Sequence, residues 1–261
     1  GMSQHATITV AVESLENLEL LDQAANFFHT KINVLEEVNV GLDRCGVECG
    51  EPALQFAQKI LQKENIIFRG LMGYEGHAVL VPDLSSRKQI QSIAMGKLVD
   101  TRQLLERNGI PVEIVSGGGT GTFDLTGNTP GIDEVQAGSY IFMDSTYQKT
   151  GVPFEQSLSI YVTIISKSSS EKYILDAGMK AISQDNGFPS VKGHPDWQIT
   201  SVNEEHAYLS TPGGSSLSVG DKIELIPSHC CTTINLHDRY YALRDDRIEA
   251  VWKIEARGRF Q

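Results

Sequence analysis

At 261 residues the chain is long enough for one large core or two domains, and an apolar content of 40% is that of an ordinary soluble globular protein. Its net charge of −11 argues against nucleic acid or an anionic membrane surface as a partner, because both reward basic patches. No apolar run approaches the roughly 18 residues of a membrane span and no charged-then-apolar leader is visible, so the expected compartment is the cytoplasm.

Gly1-Met2 reads as a tag remnant ahead of an initiator methionine. Residues 7–13 alternate and are rich in β-formers, which predicts a strand. Residues 15–28 carry Leu18, Leu21, Ala24, Ala25 and Phe28 at helical spacing behind Ser14, a candidate N-cap. A second strand is predicted over 32–40 with a helix over 51–62, a third strand over 66–72 with a long amphipathic helix over 85–108, and a fourth strand over 112–115. Residues 134–144 read as a fifth, strand-like segment closing this half. Strand then helix, repeated, is the pattern of a parallel α/β domain, whose sites gather at the C-terminal ends of the strands. From about Phe154 the texture changes to β-rich runs at 158–165, 172–175, 222–226 and 248–254, with 166–170 as a hairpin turn, so a second, all-β domain is expected.

The stretch Ser116-Gly117-Gly118-Gly119-Thr120-Gly121-Thr122 follows a buried strand. Consecutive glycines let backbone N–H groups approach an anion without Cβ obstruction, and Ser116, Thr120 and Thr122 add hydroxyls, so a phosphate is the natural ligand. The spacing is neither Walker A nor a dinucleotide fingerprint, and a tight turn without a ligand is the other reading. A second stretch, Pro227-Ser228-His229-Cys230-Cys231-Thr232-Thr233-Ile234-Asn235-Leu236, gathers soft metal ligands. In an extended strand His229 and Cys231 would share one face and Cys230 the other. An imidazole and a thiolate on one side suit Zn²⁺ and leave positions for water or substrate. The alternative is a partly buried cysteine pair beside a structural histidine. The cysteines form two close pairs, Cys45 with Cys49 and Cys230 with Cys231, unlike a secreted disulfide framework, so they read as reduced. Cys45 and Cys49 suggest either a second metal pair or ordinary thiols.

Several motifs recur in a fixed order. They are Val40-Gly41-Leu42-Asp43-Arg44-Cys45-Gly46-Val47, Tyr74-Glu75-Gly76-His77, the glycine loop, and Glu134-Val135-Gln136-Ala137-Gly138-Ser139-Tyr140 with Asp144. Asp176-Ala177-Gly178-Met179-Lys180-Ala181, Glu204-Glu205-His206, the run from Pro227, Trp252 and Ala256-Arg257-Gly258 follow. Together they resemble the D-serine dehydratase and D-threonine aldolase family over residues 7–259. The resemblance implies an α/β plus all-β fold: a PLP-binding barrel of the TIM type, N-terminally incomplete, over 1–153, then a β-domain over 154–261. It implies pyridoxal 5′-phosphate (PLP) bound through Arg44, Tyr74, Ser116, Gly117, Gly118, Gly119, Thr120, Gly121, Thr122 and Tyr140. Tyr74 and His77 become the catalytic candidates, and His229 and Cys231 the ligands of a divalent metal, zinc before manganese or magnesium. The implied activity is a lyase acting on small D-3-hydroxy amino acids, a dehydratase or an aldolase, in a homodimer. Cys231 at the second metal position resembles the dehydratase branch, where aldolases more typically carry Asp.

Taken singly, Arg44 also reads as a surface ion-pair partner, Tyr74 and Tyr140 as core residues, and His77 and His206 as ordinary histidines. Lys180 follows Asp176-Ala177-Gly178 but falls in the β-domain, away from any barrel strand end. The chain departs from the family in one respect: members carry a further segment ahead of the position matching Thr7, with the first barrel strands and the lysine that bears the cofactor. Lys31 is expected just before a strand and Lys59 and Lys63 on a helix, where no barrel-lining amine sits. The accounts left open are a truncated enzyme, a chain completed by another chain, a non-catalytic phosphate- and metal-binding oligomer, and a racemase-like enzyme.

Overall fold

The structure, a computed structural model, describes residues 5–259; the tag remnant expected at Gly1-Met2 lies outside the described residues. Two compact units divide the chain, Gly1–Gly138 and Ser139–Gln261, where the sequence reading set the division after residue 153.

The first unit runs β1 (Thr9–Val12), α1 (Leu15–Phe27), β2 (Ile32–Asn39), β3 (Val47–Glu48), α2 (Glu51–Ile60), β4 (Ile66–Gly73), α3 (Leu84–Arg107), β5 (Ile114–Gly117), α4 (Phe123–Gly127) and β6 (Glu134–Val135). The strands pair in parallel in the order β1-β2-β4-β5-β6, with β3 added beside β2. Helix starts follow local chemistry: the Ser14 hydroxyl accepts from Asn17 N–H at 3.2 Å and the Asp83 carboxylate from Ser86 N–H at 2.7 Å. Along α3 the buried positions Arg87, Gln91, Ala94, Met95, Leu98, Thr101 and Leu105 recur every three or four residues, which makes one continuous inward stripe. That stripe packs with Leu18, Ala53, Leu54 and Ala57 of the other helices against Val34, Val38, Leu71 and Val115 of the sheet. Because the strands are parallel, the segments after β2, β4 and β5 emerge at one end of the sheet.

The fifth strand is far shorter than expected. Only Glu134–Val135 pairs with β5, and Ser139–Ile141 forms a 3₁₀ turn. Asp144, which the sequence reading placed at the strand's end, is instead a helix cap: its Oδ1 accepts from the N–H groups of Thr146 (3.1 Å) and Tyr147 (2.8 Å).

In the second unit α5 (Ser145–Gln148) precedes β7 (Ile160–Ser169), β8 (Lys172–Leu175), β9 (Ser190–Val191), β10 (Gln198–Val202), β11 (Ala207–Ser210) and β12 (Lys222–Ile226). These six strands close into an antiparallel barrel in the order β10-β11-β8-β7-β12-β9 around Val162, Ile164, Tyr173, Leu175, Leu209 and Leu225. The expected turn over 166–170 is tighter, since β7 runs on to Ser169 through two register shifts and only Ser170-Glu171 turn. α6 (Cys230–Ile234) and a separate hairpin, β13 (Arg239–Arg244) with β14 (Arg247–Lys253), follow. Among the described residues no helix is long and apolar enough to cross a membrane.

Candidate functional site

In the first unit the glycine loop, Tyr74, Arg44 and His77 all lie at the end of the sheet where β2, β4 and β5 finish. Gly118 takes φ +76°, a conformation that a side chain would strain. A Cβ on Gly121 would sit 1.7 Å from the carbonyl oxygen of Val79, so only glycine lets the turn Thr120–Thr122 press against that backbone. The Tyr74 ring lies along the loop: a Cβ on Gly119 would be 3.2 Å from its Cε2 and 3.6 Å from its hydroxyl. The Arg44 guanidinium stands 5.6 Å from the centre of the same ring, a cation–π contact. His77 faces Gly41, where a Cβ would come within 3.4 Å of its Nε2.

The loop is held from beneath by a residue that the sequence reading passed over. Glu75, fully buried, accepts from Gly118 N–H (2.9 Å), from the Thr122 hydroxyl (2.8 Å) and from the Thr126 hydroxyl (2.6 Å). Thr122 Oγ1 in turn accepts from Gly119 N–H at 3.2 Å, and Gln91 of α3 donates to Thr126 at 3.2 Å. Ser116 points elsewhere, donating to Glu134 Oε1 at 2.6 Å while accepting from Gln136 Nε2 at 2.8 Å. No local pattern marks Glu75, since Thr122 and Thr126 follow it by 47 and 51 residues. PLP presents a phosphate and an aromatic ring. A glycine-rich turn beside a tyrosine and an arginine suits both in kind.

In the second unit His229, Cys230 and Cys231 do not form a strand. His229 is the N-cap of α6, and the Cys230 N–H donates to Asp144 Oδ2 at 3.0 Å, so one buried carboxylate caps both α5 and α6. His229 and Cys231 still act on each other, Cys231 raising the imidazole and His229 lowering the thiol. Cys230 does not face away: its sulfur is 3.9 Å from that of Cys231, and Ser139 Oγ lies 3.8 Å from Cys231. Hydrogen bonds from Cys230 and His229 hold the Cys231 thiol down at about 4, whereas the contact with Cys231 and burial push Cys230 upward. His229 is raised to about 9 by Cys231 and by Asp185, whose Oδ2 pairs with its Nδ1. Asp185 is itself fixed by Ser183 and by Thr232 Oγ1 at 2.9 Å. An imidazole with a carboxylate on its Nδ1, beside a cysteine held toward its thiolate, is a donor set for a soft divalent cation with an oriented histidine.

Tyr140 belongs to the second unit, its ring 5.4 Å from that of Phe154. Lys31 enters β2 at the end opposite the glycine loop, Lys59 is on α2, and Lys63 pairs with Glu19 at 3.5 Å. Lys180 is a surface partner of Glu204 (2.7 Å) and Glu205 (2.6 Å). All four cysteines are free, and Cys45 shares a cluster with Glu13 and Glu37.

Comparison with known proteins covers the whole chain. The family model for the alanine racemase N-terminal domain matches residues 2–146, and the model described as "Putative serine dehydratase domain" matches residues 157–243. The chain is 33% identical to 3-hydroxy-D-aspartate aldolase from Paracoccus denitrificans (strain Pd 1222), over 97% of its own length and 68% of the relative's. It is 34% identical to D-threonine aldolase from an Arthrobacter species, over 98% of its own length and 69% of the relative's. The crystal structure of D-threonine aldolase from Filomicrobium marinum superposes with a TM-score of 0.96 at 31% identity, covering 100% of this chain and 72% of that one.

Proposed function

The chain belongs to the family that joins an alanine racemase N-terminal domain to a serine dehydratase domain, and from that membership we propose that it is a PLP- and divalent-metal-dependent lyase of D-3-hydroxy amino acids. The reading rests on the likeness to two aldolases along nearly the whole chain, which favours cleavage of the Cα–Cβ bond to glycine and an aldehyde.

PLP supplies an electron sink for the charge left at Cα, and a divalent cation supplies Lewis acidity at the β-oxygen. The rest falls to side chains of this chain. The loop Gly117 to Thr122 receives the phosphate, with Arg44 and Tyr74 orienting the ring. His77 is the candidate to exchange a proton with the substrate or to contact it. His229 and Cys231 hold the cation, and Asp185 keeps the imidazole turned toward it. Zinc suits the thiolate best, with manganese or magnesium as weaker fits. A homodimer in the cytoplasm completes the proposal, and light scattering on the purified chain decides its oligomeric state.

The thiolate favours one other reading. Cys231, in place of the Asp more typical of aldolases, suits a dehydratase, which expels the β-hydroxyl as water and yields a 2-oxo acid and ammonia. Incubating the full chain with PLP, Zn²⁺ or Mn²⁺ and D-threonine separates the two: glycine with acetaldehyde marks the aldolase, 2-oxobutyrate with ammonia the dehydratase. Bound PLP and metal with neither product pair would replace the lyase by a non-catalytic binding protein.

A further inference from the structure

Glu75 is an odd neighbour for a phosphate. A buried carboxylate repels an anion unless its charge is taken up by donors, and an unpartnered one would raise the cost of binding. Here three donors take it up: one backbone N–H from the glycine loop and two hydroxyls from the turn and helix that follow. The hydrogen bonds run on through Thr122 to Gly119 N–H and through Thr126 to Gln91 of α3, so loop, turn and helix are tied to one acceptor. An acceptor-only side chain suits this post, because every group around it donates.

We propose that Glu75 is a positioning residue that folds the loop 117–122 into its phosphate-receiving shape before any ligand arrives, without touching the ligand. The inference rests on the reading that this loop holds the PLP phosphate. It goes beyond that reading in assigning the loop's shape to a carboxylate beneath it. Glu75→Gln keeps the volume but replaces one acceptor with an amide that donates, so at least one of the three donors loses its partner. Thr126→Val keeps Glu75 and removes a single donor.

The test is titration calorimetry of the full chain with PLP and, in parallel, with pyridoxal, which lacks the phosphate; the ratio of the two affinities isolates the phosphate contribution. The wild-type chain prefers PLP. Glu75→Gln lowers that preference about tenfold or more, Thr126→Val lowers it by less, and pyridoxal affinity stays where it was. A preference that is unchanged or increased in both variants overturns the proposal, since relief of repulsion alone would strengthen PLP binding in Glu75→Gln. Should Glu75→Gln fail to fold by circular dichroism, Thr126→Val decides, and an unchanged ratio there overturns it. A wild-type chain that does not distinguish PLP from pyridoxal overturns the phosphate reading of the loop instead, and Glu75's role with it.

Discussion

The two candidate ligand sites are framed in opposite ways. In the first unit the glycine loop stands on a dry network whose central member, Glu75, is fully buried and engaged by three donors. In the second unit Asp185, His229 and Cys231 are partly open to water, with the His229 and Asp185 side chains 28% and 41% exposed, and opposite charges hold them together. A dry hydrogen-bonded frame has a shape fixed before its ligand arrives, because breaking any bond in it strands a buried polar group. A solvated ionic frame is exchangeable: a cation can replace ligand protons at little structural cost.

The largest expected effect breaks the dry frame. In Gly121→Ala the new methyl would fall 1.7 Å from the Val79 carbonyl oxygen, so the turn must move away from its support. Urea unfolding is expected to show a loss of about 3 kcal/mol, with PLP affinity falling alongside. A variant as stable as the parent would mean that the loop is softer than the network implies. Cys231→Ala breaks the ionic frame instead. Metal content by mass spectrometry is expected to fall to background and lyase turnover by about a hundredfold, while the unfolding midpoint moves little. Retained metal would remove Cys231 from the donor set.

Within the first unit Glu36 sharpens the contrast. It is as buried as Glu75, yet neither of its carboxylate oxygens has a partner among the described residues. Burial pushes it up to about 9 from an ordinary 4.5. The sign follows: between those values the folded state binds a proton that the unfolded state has released, so stability falls as pH rises from about 4.5 toward 9. Glu36→Gln should flatten that slope, leaving the variant more stable than the parent by about 2 kcal/mol at pH 7 relative to pH 5. Parallel pH profiles for the two proteins would show that Glu36 finds a partner in solution.

Much of this architecture was legible in the sequence because its causes are local. Ser14 caps α1, the stripe from Arg87 to Leu105 repeats at helical spacing, and the longer parallel strands together with β7, β8, β12 and β14 carry their own β-rich runs, whereas β3, β9, β10, β11 and β13 were not read from the sequence. Even Glu36 could have been found, since period-two alternation sets it on the face of Val34 and Val38, both buried. What escaped depends on partners far away in the chain. Residues 229–231 look extended by propensity, but Asp144, 86 residues earlier, caps Cys230 and starts a helix. Glu75 follows Tyr74 in a short motif, but its donors come from segments that only the parallel crossover brings near. Asp185 precedes His229 by 44 residues in an unpatterned loop.

The smallest expected effect tests the comparison at its narrowest point. Asp185→Asn keeps a side chain of the same size beside His229 Nδ1 but removes the charge that helps hold the imidazole above its ordinary value. If the second site is an ionic frame, the loss is one of orientation and basicity: the histidine still reaches the metal, but its ring is less firmly turned and a poorer donor. Metal affinity should then fall about tenfold, a change that added metal restores, with little movement of the unfolding midpoint. On the proposed reading the PLP phosphate is received by the glycine loop of the first unit, so PLP affinity should not move. A variant that loses PLP affinity together with metal would overturn the contrast between a fixed site and an exchangeable one.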